Sequence, residues 1–565
     1  MPEYDSIVRN GTVVDGSGQI SAYQADIGIR NGVIAAIGRL RGDAKRELDA
    51  TGCIVAPGAI ELHGHYDAHI QWDPYCTSSG WHGVTTVTLG TCGFGWAPCK
   101  PDTHDAYARM MSRIMSVPAE SVVQWLRWDW ESFPEYLDSL DRQGLGVNAA
   151  SMVAISPLRA YVMGMEESRT REKMNEAELE RLKAVFREAM AAGAFGFSNH
   201  RNVEDRHEDG GWLPSHMSSW EEHRVLAEII GEFGVGGVYW TRGEEEGDGE
   251  FLRELCRISG RPLQWSAVVQ GRNDGTDTWR EELDWSEENL KLGLPMYTQA
   301  IPPLDIKVRL AEFNMFDSTP SWCEPLVGSR EERIAKLSQP GIREPMKKEF
   351  DEKIGFFHGE WDRVLVIETV EERNKGCEGR SIADIAQETG KHPVDAFLDL
   401  ALDEGLLTEF EMPAFTGSDD AATMAILSAP STAPGVSDAG AHYRFTTVSH
   451  WPTYVLGKWV RDEGAMTLEQ AHYKNSGLPA FIMGYRDRGL LREGLAADIV
   501  VYELDRLAWA EQEYLHDTPA GDPRIVRKSQ GYRYTLVNGE VTFEEGRCTG
   551  ALPGKLLRST DQEIR

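Results

Sequence analysis

Positive charge is scarce in this 565-residue chain: 58 Lys and Arg stand against 90 Asp and Glu, a formal net charge of −32. That balance argues against nucleic acid and anionic membrane surfaces as partners, because both recruit proteins through basic patches. Long apolar runs are lacking too, and none approaches the ~20 residues of a membrane span. The opening Met-Pro-Glu-Tyr-Asp has neither the basic start nor the apolar core of a secretory leader. Cysteine is sparse: the eight present never fall in Cys-x-x-Cys spacing. A disulfide framework and a zinc ribbon are therefore not indicated. The expected compartment is the cytoplasm, and self-association into a homo-oligomer stays open.

What is present describes a folded enzyme-sized body, with 41% apolar residues and 17 Trp. Residues 5–14 alternate around Asn10-Gly11, residues 25–38 around Asn31-Gly32, and residues 532–543 around Asn538-Gly539. Asn-Gly between alternating runs is a hairpin signal. With a further strand at 496–502, the two ends (1–57 and 486–565) are expected to build one small β-sandwich; two unrelated hairpin extensions are the alternative. Between them, 58–485 alternates short apolar strands with amphipathic helices. Strands are expected near 54–62, 85–89, 147–153, 194–198, 237–240, 263–269 and 295–300, and the clearest helices at 176–192 and 220–232. The expected fold class is α/β, a (β/α)8 TIM-like barrel. An insertion at about 301–385 breaks the rhythm with Pro302, Pro303, Pro320, Pro325, Pro340 and Pro345.

Three strand ends carry chemistry. Residues 53–62 form an apolar run that leads into His63 and His65, which on an extended chain face the same way. Paired neutral imidazoles are good ligands for Zn and related metals. Residues 83–95, Gly-Val-Thr-Thr-Val-Thr-Leu-Gly-Thr-Cys-Gly-Phe-Gly, carry a β-branched strand into Cys92. Its thiolate could ligate a metal, or Cys92 could be a small core residue. Residues 434–442, Pro-Gly-Val-Ser-Asp-Ala-Gly-Ala-His, place Asp438 at a late strand end. An Asp there is either a turn residue or a carboxylate able to act as ligand and general base.

Taken together these stretches resemble the amidohydrolase superfamily, in particular its N-acyl-D-amino-acid deacylase (D-aminoacylase) branch. Pro57-Gly58 before His63-Gly64-His65-Tyr66-Asp67 is similar to the branch's opening motif. So are Gly83-Val84-Thr85-Thr86-Val87 with Gly90-Thr91-Cys92-Gly93, Gly193-Ala194-Phe195-Gly196-Phe197-Ser198, Ser437-Asp438 and the closing strands from Gly494 and Val537. The resemblance implies a metal-dependent hydrolase barrel capped by a bipartite β-sandwich. It implies hydrolysis of an amide by a metal-activated water, with Asp438 as general base and then acid. It places His63, His65, Cys92 and Asp438 at a divalent metal, Zn2+ in the first instance.

The sequence also departs from the pattern. The branch carries a Thr-His and a Ser-His on two middle strands, where this chain has Tyr239-Trp240-Thr241-Arg242 and Leu263-Gln264-Trp265-Ser266-Ala267. One metal per chain is therefore expected in preference to two. His200, His442 and the glutamates at 244–246 are candidate replacement ligands. Arg201, Arg242, Arg272 and Arg444 follow strand ends and could grip a substrate carboxylate. Trp96, with Trp72, Trp81, Trp240 and Trp265, could line a pocket or simply pack. The expected substrate is a small amide or acylated amine. The same metal chemistry on a lactone, a cyclic imide or a C–C bond beside a carbonyl is one alternative; a non-catalytic scaffold is the other.

Overall fold

The computed structural model describes residues 2–243, 247–270, 278–304, 306–313, 315–354, 357, 359–413, 416–417 and 419–562. Arg272 and the glutamates at 244–246 lie outside these residues. Among the described residues, no helix is long and apolar enough to cross a membrane.

The two chain ends meet in a single nine-stranded sheet. In its centre Ile54–Pro57 runs parallel to Tyr4–Val13 on one side and antiparallel to Ile499–Tyr502 on the other. Val8, Ile27, Val55, Ile499 and Leu536 fill the core of this sheet. Two of the three Asn-Gly pairs make the expected turns. Asn31 and Gly32 hold φ of 54° and 78°, and Asn538 and Gly539 hold 46° and 81°, the left-handed pairs that tight hairpins require. Asn10-Gly11 does something else. It lies inside Tyr4–Val13, where the register slips between Val8 and Gly11, so the extra residue forms a bulge and not a turn.

Between the ends, parallel strands alternate with helices in two sheets. The first runs Ala59–Glu61, Val84–Leu89 and Asn148–Ser151; the second runs Val153–Ala154, Gly196–His200, Gly237–Thr241, Leu263–Val268, Met296–Ala300 and Thr432–Pro434. Met152 alone separates Asn148–Ser151 from Val153–Ala154. The helices close with regular chemistry: Glu176–Ala191 and Trp220–Phe233 start from capping boxes at Asn175 and Ser219, and Trp220–Phe233 stops at Gly234 in left-handed geometry.

A second, separate core forms in residues 304–412. It gathers Phe316, Trp322, Phe350 and Phe397 above a three-stranded antiparallel sheet of Ile306–Val308, Glu409–Met412 and Leu365–Glu368, and Phe445 and Val448 complete it. This unit extends past the expected end near 385, since Pro393–Asp403 turns Phe397, Leu398 and Ala401 into it.

One buried carboxylate pins the terminal sheet to the parallel strands. Asp498 accepts from Arg488 Nη1 at 2.6 Å, from Asn148 Nδ2 at 3.0 Å and from the Asn538 backbone N–H at 2.7 Å. Removing it leaves the buried Arg488 guanidinium with Asp487 as its one carboxylate and the Asn538 N–H without its acceptor, which costs about 2–3 kcal/mol. Asp498→Ala is therefore expected to lower the unfolding free energy by that amount, and with it the urea midpoint, measured by tryptophan fluorescence; an unchanged midpoint would exclude the pin.

Candidate metal centre

Three loops bring the candidate residues together, and hydrogen bonds lace them. After Ala59–Glu61 the chain bends through His63 and enters the short helix Tyr66–His69 just past His65. The His65 N–H donates to Ala439 O at 2.7 Å, and the Ser437 N–H donates to His63 O at 3.1 Å. Thr91 Oγ1 donates to Gly64 O at 2.7 Å, and the Gly90 N–H donates to Asp67 Oδ1 at 2.8 Å. Burial pushes the Asp67 carboxyl up to about 7, against the pull of His65 and of the Gly90 N–H.

The loops hold unusual backbone. Cys92, Asp438 and His442 sit in the left-handed region at φ of 54°, 48° and 54°. Such conformations cost roughly 1–3 kcal/mol each for residues other than glycine. Gly440 is at φ 91°, and a Cβ there would lie 2.5 Å from His65 O. Only glycine allows this approach.

The side chains meet at one focus. His63 Nε2 lies 3.0 Å from Cys92 Sγ and 3.0 Å from Asp438 Oδ1, and His65 Nε2 lies 3.6 Å from the same carboxylate oxygen. The donor atoms of His63, His65 and Cys92 all fall within 4.8 Å of one another. Tetrahedral bonds of about 2.0–2.3 Å set ligand atoms roughly 3.3–3.8 Å apart. His63, His65 and Cys92 thus fit a zinc-type ion in both spacing and donor chemistry, with two imidazoles and one thiolate, and the Asp438 carboxylate stands outside that three-donor cluster, against both histidines. Asp438 is the open member of the set, its side chain 20% exposed against 4% for His63 and 7% for His65.

Electrostatics bind the four groups into one unit. Burial opposes ionisation of Cys92, yet the field of His63 and hydrogen bonds with His200, His63 and His65 hold its thiol well below the usual range. Burial likewise opposes the charge on Asp438, and His63 and His65 outweigh it to hold the carboxyl well below its ordinary value. His65 is raised to about 9: burial works against its charge, and Asp438 and Cys92 prevail. A cation that binds here takes the place of imidazole protons.

Behind these side chains stands a layer that the motifs did not reveal. His63 Nδ1 lies 2.6 Å from Tyr239 Oη and 3.2 Å from Gln299 Oε1, which turns its Nε2 toward Cys92 and Asp438. Thr241 Oγ1 lies 3.0 Å from Cys92 Sγ. Alternation along Gly237–Thr241 was the available signal: Tyr239 and Thr241 turn inward while Trp240 packs outward on His223 and Phe251.

Of the remaining candidates, His200 and His442 border the site, His200 through Cys92 and His442 through Asp438, and the arginines and tryptophans lie elsewhere. His200 ends the Gly196–His200 strand with Nε2 2.9 Å from Asp205 Oδ2 and its ring 4.7 Å from Phe94. His442 Nε2 is 4.0 Å from Asp438 Oδ2, on the outer side of that carboxylate. Neither enters the three-donor cluster among the described residues. The arginines hold protein groups. Arg201 donates to His216 O at 2.6 Å and Ser218 O at 2.5 Å. Arg242 lies 3.7 Å from both Asp248 and Glu282 and covers the Trp265 ring. Arg444 pairs with Glu312 at 2.5 Å and Asp522 at 3.4 Å. Trp96 is buried, its carbonyl accepting from Trp130 Nε1. Trp72 and Trp81 lie under Arg524, and Trp265 packs on Trp285.

Known proteins share this frame. The D-aminoacylase of Alcaligenes xylosoxydans xylosoxydans is 28% identical over 568 residues, spanning 99% of this chain and 98% of that protein. A solved D-aminoacylase structure, described by its binuclear metal centre with one-metal activation and second-metal attenuation, matches at TM-score 0.67 and 25% identity, covering 98% of this chain and 100% of that one. The N-acyl-D-glutamate deacylase of Bordetella bronchiseptica, solved with zinc and a phosphonate mimic of the tetrahedral intermediate, matches in fold at TM-score 0.68 and 24% identity, over 98% and 99% of the two chains. The model of the Amidohydrolase family matches residues 46–543, and the chain belongs to that family.

Proposed function

We propose that this chain is a metal-dependent hydrolase of a non-peptide C–N bond, acting on a small acylated amine of the N-acyl-amino-acid type. The observation that carries this reading is the three-donor cluster of His63, His65 and Cys92 at one buried focus, with the more open Asp438 carboxylate beside it, 3.0 Å from His63 Nε2 and 3.6 Å from His65 Nε2. Full-length similarity to D-aminoacylase supports the reaction class. In this reading the two parallel sheets act as one (β/α)8 barrel, and the nine-stranded terminal sheet is the bipartite β-sandwich beside it. Residues 304–412 are an insertion over the barrel mouth.

His63, His65, Cys92 and Asp438 would hold one divalent ion, and the thiolate with two imidazoles favours Zn2+. Once bound, the ion supplies a Lewis acid for the substrate carbonyl and lowers the pKa of water. The chain's own groups do the rest. Tyr239 and Gln299 fix the ring of His63 through Nδ1. The Asp438 carboxylate, ionised by its two histidine neighbours, takes a proton from the attacking water and returns it to the leaving nitrogen. Ser437 and Ala439 hold that carboxylate in place through their backbone bonds to the His63-Gly64-His65 turn.

Elemental analysis of protein purified without chelators is expected to give about one metal per chain, lost in the His63→Ala/His65→Ala double variant. Two metals per chain would refute the single-ion reading, and none would refute the metal centre itself. Asp438→Asn keeps the shape of the side chain and one oxygen donor but removes the base. It is expected to lower kcat on N-acyl amino acids by at least ~10²-fold while metal stays bound; unchanged turnover would exclude Asp438 as the base.

A further inference from the structure

We propose that Ser266 and Thr241 form a hydroxyl relay that ends on the Cys92 sulfur and positions it as a ligand to a single cation. The inference rests on the reading of Cys92 as a ligand and adds to it two residues from strands across the interior. Gly237–Thr241 and Leu263–Val268 pair in parallel with Thr241 opposite Ser266. Ser266 Oγ donates to Thr241 Oγ1 at 3.3 Å, and Thr241 Oγ1 lies 3.0 Å from Cys92 Sγ. A hydroxyl has one proton to give. Because Thr241 accepts from Ser266, its own proton is directed to the sulfur.

The same sulfur has a second hydroxyl neighbour. Tyr239 Oη lies 3.9 Å from Cys92 Sγ and 2.6 Å from His63 Nδ1. Tyr239 Oη also donates to Gln299 Oε1 at 3.5 Å, so Thr241 is the nearer hydroxyl donor to the sulfur and Tyr239 chiefly orients His63. Two of the three clustered donors, Cys92 and His63, are thus supported by adjacent residues of one strand face. Hydrogen bonds to an ionised sulfur are charge-assisted and draw electron density from it. A thiolate that spends a lone pair on the Thr241 hydroxyl offers fewer to a second ion. Its remaining direction is toward His63 and His65, where the first ion belongs. Thr241 and Ser266 act through Cys92 and are positioning residues.

The test uses the full-length protein loaded with Co2+, whose bond to sulfur gives a near-ultraviolet charge-transfer band. The wild type is expected to show the band at one Co2+ per chain, and Cys92→Ser to lack it. Thr241→Val keeps the volume but removes the donor. The band is expected to move to lower energy, the Co2+ dissociation constant to rise by about 10–100-fold, and Thr241→Ser to restore both. Ser266→Ala leaves Thr241 in place and is expected to move the band in the same direction by less, which covers the case in which Thr241→Val fails to fold. A wild-type band that neither variant moves overturns the relay while Cys92 stays a ligand. Absence of the band from the wild type overturns both readings.

Discussion

Two backbone hydrogen bonds, His65 N–H to Ala439 O and Ser437 N–H to His63 O, decide where the chemistry of this protein can be. They join the end of an early strand to the end of the last parallel one, across more than 370 residues of chain. Each loop alone would put its side chains in a shape of little use. Cys92, Asp438 and His442 all hold left-handed backbone, and a free loop would relax out of it. The lacing makes those conformations affordable, and Gly440 permits the contact because no Cβ stands between it and His65 O.

The same closeness creates an electrostatic problem that the site solves internally. A buried carboxylate or thiolate alone would be forced neutral by desolvation. Here Asp438 and Cys92 share His63 and His65, and each pair shifts the other toward the charged form. Asp438 and Cys92 thereby carry negative charge inside the fold, balanced by the protons that His63 and His65 hold and that a bound cation would replace. Tyr239, Gln299 and Thr241 then settle orientation, which charge alone does not fix.

The strand ends were legible in the sequence because three apolar runs terminate in His63, Cys92 and Asp438, and local pattern suffices to see that. The alternation of strands and helices was legible for the same reason. The supporting layer was not. That Thr241 and Tyr239 reach Cys92 and His63 depends on which strands face each other across the interior, and a single strand's pattern says only that the two share a face. Asn10-Gly11 misled because a bulge and a turn use the same left-handed residue; the partner strand at Asp26, which takes the Asn10 N–H, decides between them. The insertion looked shorter than it is because Pro393–Asp403 has the periodicity of any amphipathic helix. Its apolar face meets Trp361 and Phe410 through Phe397.

That insertion is not independent of the site. Its core is completed by Phe445, which stacks on Phe313 with ring centroids 3.2 Å apart and accepts at its carbonyl from the Lys307 N–H at 2.8 Å. Phe445 is also 4.7 Å from the His442 ring, and both lie in the segment that begins at Asp438. Tyr443, between them, is tied on the other side: its hydroxyl meets His69 Nδ1 at 2.7 Å, and His69 in turn meets Asp73 at 3.0 Å. The Asp438 segment is therefore clamped from two directions, by the insertion through Phe445 and by the early helix through Tyr443. A shift of the insertion would have to move Phe445 against the fixed Tyr443, and the strain would fall on the left-handed turn that aims the carboxylate. The position of the Asp438 carboxylate is set from both sides of its segment.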